Sequence, residues 1–168
     1  MKYWLVAILA IVATPLKAQS NLQMSIEMTD RGASTFYVDV RMLGAGLKQF
    51  LVDTGSSYTA INEDTLAELL ESDQVAYVKD LEGVMADGSR RVVPVYDIKS
   101  LTVGETCTLN EVRAAVFPGK TRNILGLSAL RAAAPFTFSF DPPTLALSNC
   151  MPALATPGRD SATGLGAL

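Results

Sequence analysis

The chain has 168 residues, the size of one domain and enough to bury a substantial hydrophobic core. Its formal net charge is -3 and it contains no basic run, so nucleic acid is not an expected partner. It has no histidine, which excludes Ser-His-Asp and Cys-His catalysis and leaves zinc without its commonest ligand. An enzyme of this composition must use carboxylates or hydroxyls, and we expect no metal or cofactor.

The N-terminus has the pattern of an export signal. Lys2 precedes an apolar run from Trp4 to Ala13, and the small residue Ala18 ends the segment, which predicts a signal peptide over residues 1–18. The run is shorter than the roughly 20 apolar residues of a spanning helix, so no stable membrane span is expected after cleavage. A retained anchor is the alternative. We therefore expect an exported protein, periplasmic or secreted.

The next part of the chain has the period of β-strands. Alternating or continuous apolar residues predict four strands, over 22–28, 36–42, 48–52 and 58–61. A helix is expected next, because Asn62 can cap its first turn and Leu66, Leu69 and Leu70 form a stripe with helical spacing.

The middle of the chain predicts a long hairpin. Asp87-Gly88 is a strong tight-turn signal between residues 82–86 and a returning strand at 90–96. Two further strands, a short helix and a closing pair of strands are predicted over 98–103, 106–117, 127–134, 136–140 and 144–148. The predicted fold class is all-β, mainly β with one or two short helices, in one domain over residues 19–150. The Ala-, Gly-, Pro- and Thr-rich segment 151–168 has no periodicity, which predicts a disordered C-terminal tail.

Cys107 and Cys150 are the two cysteines of the chain. In an oxidising compartment they could form a disulfide that ties a central strand to the end of the domain. Two buried free thiols are the competing interpretation, and the sequence alone does not favour either.

Asp53 directly follows an apolar strand and precedes small turn residues. Phe50, Leu51 and Val52 suit a buried strand, and Gly55 gives the backbone freedom to turn where that strand ends. A carboxylate there would lie on the floor of a cleft, partly desolvated and near backbone donors, so it could act as an acid or a base. The alternative is an ordinary strand end with an Asp-Thr-Gly turn.

Three segments together resemble the single-domain, retropepsin-like aspartic proteases of bacteria and retroviruses. Phe50–Ser57 resembles their active-site loop, Met85–Ser89 their flap hairpin, and Asn123–Leu130 the hydrophobic-hydrophobic-Gly segment that flanks the loop, all in the same order. The resemblance covers about Ser34 to Ser148. It implies a closed β-barrel of the acid-protease fold.

The resemblance also implies roles for particular residues. It places catalysis at Asp53, Thr54 and Gly55, substrate binding in the flap and cleft at Ala86, Asp87, Gly88 and Ser56, and support of the active loop at Ile124, Leu125 and Gly126. Ser56 stands where retroviral members usually have alanine, and Leu127 where viral enzymes often have arginine. The resemblance implies that the Ser56 hydroxyl donates to the catalytic carboxylate. Such a bond would lower its pKa and make the pH optimum acidic.

The chemistry of this family requires two carboxylates that share a proton, one to activate water and one to protonate the scissile carbonyl. The chain supplies one Asp-Thr-Gly loop. The resemblance therefore implies a homodimer in which each subunit contributes Asp53, acting on a peptide or protein substrate. In the family, Thr54 of each subunit would hydrogen-bond across the dimer beneath the aspartates.

Two other classes of function remain open. A phosphoaspartate enzyme also uses Asp followed by Thr and Gly, but its signature has a lysine between Asp and Thr and its fold has an α/β pattern, both of which are missing here. A non-catalytic secreted β-barrel that binds or scaffolds is the more serious alternative.

Overall fold

The computed structural model describes residues 23–85 and 87–152. The strands are β1 Met24–Glu27, β2 Thr29–Asp30, β3 Phe36–Met42, β4 Gly46–Val52, β5 Thr59–Asn62, β6 Val75–Val84, β7 Arg90–Val103, β8 Cys107–Phe117, β9 Asn123–Leu125, β10 Phe136–Phe140, β11 Pro143–Leu147 and β12 Met151–Pro152, and the helices are α1 Glu63–Glu71 and α2 Leu127–Ala132.

Six strands close into a barrel. Going round it, β8 pairs with β5, β5 with β9, β9 with β4, β4 with β3, and β3 with β7, and the β7–β8 pairing closes the ring. The strand β6 extends β7 as a hairpin, and β1, β11 and β10 form a separate three-stranded sheet. The predicted all-β class and the closed barrel are therefore confirmed.

The barrel and the small sheet share one hydrophobic core. Along β3 the buried positions alternate with more exposed ones, as the sequence period predicts, and Val38 and Val40 are among the buried residues. Leu145 and Leu147 of the small sheet are fully buried in the same cluster. The Asn62 cap is also confirmed, since its side-chain Oδ1 accepts a hydrogen bond from the Thr65 N–H at 2.8 Å.

The structure corrects two predicted boundaries in the hairpin region. The first hairpin strand begins at Val75 instead of residue 82, and the second runs without interruption from Arg90 to Val103. Most residues of β6 are exposed or half-buried, and a bulge between Tyr77 and Lys79 shifts its register. A strand with one side open to solvent and an interrupted period leaves no clear alternation in the sequence.

The end of the domain also differs from the sequence-based prediction. Met151–Pro152, assigned to the disordered tail, form β12 and pair with Cys107 and Thr108. The two cysteines are joined by a disulfide, 43 residues apart in sequence, next to this pairing. The predicted signal peptide, the rest of the tail and Ala86 lie outside the described residues. Among the described residues, no helix is long and apolar enough to cross a membrane.

Candidate active site

Asp53 directly follows Val52, the last residue of β4. Its strand is paired in parallel with β9, with Val52 opposite Leu125, and the Asp53 N–H donates to the Leu125 carbonyl oxygen at 3.1 Å. The carboxylate is half-buried, and its Oδ1 accepts the Gly55 N–H at 2.8 Å. Hydrogen bonds therefore hold both the backbone and the carboxylate of Asp53 in place, as a preorganised acid or base requires.

The loop after Asp53 turns sharply, with Thr54 and Gly55 exposed. The Ser56 hydroxyl donates to the Tyr58 carbonyl oxygen at 2.7 Å. A hydroxyl has one proton, so the bond from Ser56 to the Asp53 carboxylate that the resemblance implied is not the one formed here. In the single chain, Ser56 therefore stabilises the turn of the loop.

The predicted support segment lies directly against this loop. Ile124 pairs with Leu51 on one side and Ala60 on the other, so β9 joins the two strands that flank Asp53. A Cβ on Gly126 would lie 2.1 Å from the Tyr58 carbonyl oxygen and 2.9 Å from that of Ser56. The absence of a side chain at Gly126 is what lets the two backbones approach, and the Leu127 N–H then donates to the Ser56 carbonyl at 2.8 Å.

Two polar residues beside the loop were not predicted as site residues. The Ser128 hydroxyl oxygen accepts the Thr59 N–H at 2.7 Å and donates to the Arg113 carbonyl oxygen at 2.6 Å. The Asn123 side chain is buried and accepts the Asn62 N–H at 3.2 Å. In the sequence, Ser128 and Asn123 stand out only as polar residues within an apolar segment. That position does not reveal which groups they hydrogen-bond.

The predicted flap is the tip of the β6–β7 hairpin. The Met85 N–H donates to the Ser89 carbonyl oxygen at 2.8 Å, and Gly88 adopts a positive φ of 81° that favours glycine. The Asp87 carboxylate accepts bonds from both the N–H and the hydroxyl of Ser89. These bonds, the hydroxyl first, lower the pKa of Asp87.

A cleft of about 280 Å³ lies below the hairpin tip. It is lined by Met85, Asp87, Ser89, Arg91, Phe117, Pro118 and Thr121. Of these, the sequence had singled out Asp87 as a site residue. Deeper along the hairpin, Val93 and Val95 are buried with Ala115, and Tyr58, which directly follows the active-site loop, packs against this cluster. The chain just after the Asp53 loop is therefore in contact with the hairpin through Tyr58.

No group of three or more histidine, cysteine, aspartate or glutamate side chains within residues 23–85 and 87–152 could hold a metal ion. What the Asp53 loop itself offers chemically is one positioned carboxylate and backbone donors. The cleft below the hairpin tip is a separate feature, because none of the residues that line it belongs to the Asp53 loop.

Residues 28–132 match the protein family described as "gag-polyprotein putative aspartyl protease". The chain belongs to this aspartyl protease family. The matched range includes the Asp53 loop, the hairpin and the Gly126 segment, so the retropepsin-like resemblance is confirmed. The chain is also similar in structure to a retropepsin-like aspartic protease from Rickettsia conorii, with a TM-score of 0.53 and 19% identity over 74% of this chain and 89% of that one. At this identity the similarity supports the fold. No curated protein sequence matches the chain significantly.

Proposed function

We propose that this aspartyl protease family member is an exported endopeptidase whose active site forms between two copies of the chain. The observation that carries the proposal is the Asp53 carboxylate, held at the end of β4 by Leu125 and Gly55 inside the family's matched range. Two such carboxylates brought together could not both ionise, so they would share one proton. The ionised group would take a proton from water as it attacks the peptide carbonyl, and the protonated group would donate to the carbonyl oxygen.

The exposed face of the loop supports the shared site. Thr54 and Gly55 are exposed, whereas Val52, Asp53 and Ser56 are half-buried, so the tip of the loop is open to contact with a second copy. The chain has one Asp-Thr-Gly sequence. A symmetric pair would bring the two loops together at the twofold axis, with Thr54 of each copy at the contact.

The decisive experiment replaces Asp53 with asparagine, which keeps the shape of the side chain and removes its titration. We expect peptide cleavage to fall by roughly 10²–10⁴-fold, since that is the usual contribution of an acid or base. Asp141→Asn, at an exposed turn, is the matched control and should keep full activity. A purified Asp53→Asn protein that cleaves as well as the control would remove Asp53 from the mechanism.

Mixing the two proteins tests whether the site is shared. When excess Asp53→Asn protein exchanges subunits with the unaltered protein, most unaltered chains should be paired with a variant chain. Each such pair has one Asp53 carboxylate instead of two, so cleavage should fall. A self-contained site in each chain would leave cleavage unaffected by the added variant. A well-folded protein that binds peptides but cleaves none under any pH would instead support the non-catalytic binding module.

A further inference from the structure

Arg90 and Arg91 are adjacent in β7 but face opposite sides of the hairpin. Arg91 is opposite Gly83, and two residues further along the same face Val93 is opposite Leu81 and is buried. Arg91 therefore lies on the inner face of the hairpin, toward the cleft. Arg90 lies on the outer face, where its guanidinium is 3.4 Å from the Glu82 carboxylate.

The position of Arg91 leaves its charge available to a ligand. Its cross-strand neighbour, Gly83, has no side chain to cover it, and no carboxylate among the described residues lies within ion-pair distance of it. Asp87 also lines the cleft, but its Oδ1 already accepts two bonds from Ser89. The attraction of Arg91 is the smallest of the effects that lower the pKa of Asp87, which agrees with a weak interaction between the two charges.

The rest of the cleft wall is largely apolar. Met85 lies on the hairpin side, and Phe117 and Pro118 on the opposite side. Next to them the Thr121 carbonyl oxygen accepts the Asn62 side-chain N–H at 2.9 Å, which fixes this wall to the start of α1. A ligand group suited to the cleft would combine a short apolar stem with a negatively charged end.

We propose that the cleft is a subsite for an acidic side chain of the peptide substrate, with Arg91 as the residue that determines this preference. The proposal rests on the proposed peptidase function. Glutamate fits best, because its methylene groups can contact Met85 and Phe117 while its carboxylate accepts charge-assisted hydrogen bonds from the guanidinium. The planar donor fork of arginine suits a carboxylate in a way that a lysine would not.

The test uses peptides that differ only by glutamate, glutamine or lysine, placed in turn at each position on either side of the cleaved bond. At one position we expect kcat/KM to favour glutamate about 10-fold, which corresponds to about 1.4 kcal/mol. Arg91→Gln should bring this ratio to about one, and Arg91→Glu should make the same position prefer lysine. Arg90→Gln, one residue away on the outer face, should keep the glutamate preference. The ratio is measured within one preparation, so partial misfolding of a variant does not alter it.

A second measurement separates this inference from the proposed function. The Asp53→Asn protein should bind the glutamate peptide more tightly than the glutamine peptide, and adding Arg91→Gln should abolish the difference. The role of Arg91 would be overturned by cleavage with equal kcat/KM for the glutamate and glutamine peptides at every position. An equal loss of preference in the Arg90 and Arg91 variants would overturn it as well. Both results would leave the proposed peptidase function standing. Discrimination in binding without any cleavage would keep the role of Arg91 and contradict the peptidase function.

Discussion

Gly126→Ala is a small change that the structure predicts to be severe. The backbone of Gly126 has φ -96° and ψ -172°, which alanine adopts without strain. The difficulty is space, because the new Cβ would lie 2.1 Å from the oxygen and 2.6 Å from the carbon of the Tyr58 carbonyl. Both atoms belong to the backbone, so no side-chain rotation can relieve the contact.

The size of the effect follows from these distances. Real Cβ atoms do not approach other atoms closer than 3.0 Å, so the Tyr58 carbonyl must move by about 0.9 Å relative to Gly126. That carbonyl accepts the Ser56 hydroxyl, and Ser56 also accepts the Leu127 N–H, so the displacement passes to the Asp53 loop. Overpacking typically costs about 1–3 kcal/mol of stability. A misplacement of about 1 Å in an active site can reduce the rate about 100-fold.

The assay compares peptide cleavage and denaturant unfolding of Gly126→Ala with those of Gly46→Ala. Gly46 has a φ of 70° and open space around its position, so alanine there is strained but displaces nothing. We expect both variants to lose on the order of 1 kcal/mol or more of stability, and only Gly126→Ala to lose kcat by about 100-fold. Full activity in a folded Gly126→Ala protein would refute the argument that this glycine sets the position of the loop.

Four further changes have defined outcomes. Ser128→Ala should cost about 1–3 kcal/mol because the buried Thr59 N–H loses its acceptor, and kcat should fall, while Ser128→Thr recovers both. Replacing both Cys107 and Cys150 by serine should lower the free energy of unfolding by about 2–4 kcal/mol, and native unreduced protein should not react with a thiol reagent. Gly88→Val should reduce turnover more than global stability, because its φ of 81° disfavours a branched side chain at the hairpin tip. Ser56→Ala should leave the upper limb of the pH–rate profile in place; an upward shift would show that the hydroxyl donates to Asp53 in the active assembly.

Local patterns in the sequence predicted many of the strands and the Asp53 loop, whereas the closure of the strands into a barrel was predicted through the family resemblance. Alternation along residues 36–42 defines β3, and a strand that ends in Asp53 and Gly55 specifies a turn with a carboxylate at its start. The partner of the Ser56 hydroxyl was predicted wrongly, since Asp53 and the Tyr58 carbonyl are both near in sequence and only the backbone path decides between them.

The walls of the cleft could not be predicted in the same way. Arg91 and Phe117 are 26 residues apart and line the same cleft, because β7 and β8 pair in one particular antiparallel register that begins with Val95 opposite Ala115. A shift of that register by one residue would turn Arg91 to the outer face of the hairpin and Arg90 to the inner face. The bulge between Tyr77 and Lys79 also contributes to the register of the hairpin, and it has no clear signal in the sequence.

The division between a predictable loop and an unpredictable cleft has a physical origin. The Asp53 loop is fixed mostly by main-chain groups, through the Asp53 N–H to Leu125 and the Leu127 N–H to Ser56. Such bonds do not depend on side-chain identity, so the sequence specifies them through positions such as Gly126, where any side chain would keep the backbones apart. The cleft is built from side chains, and its charge can change without disturbing the loop. A substitution at Arg91 should therefore alter which peptides are accepted, whereas one at Gly126 should alter whether any peptide is cleaved.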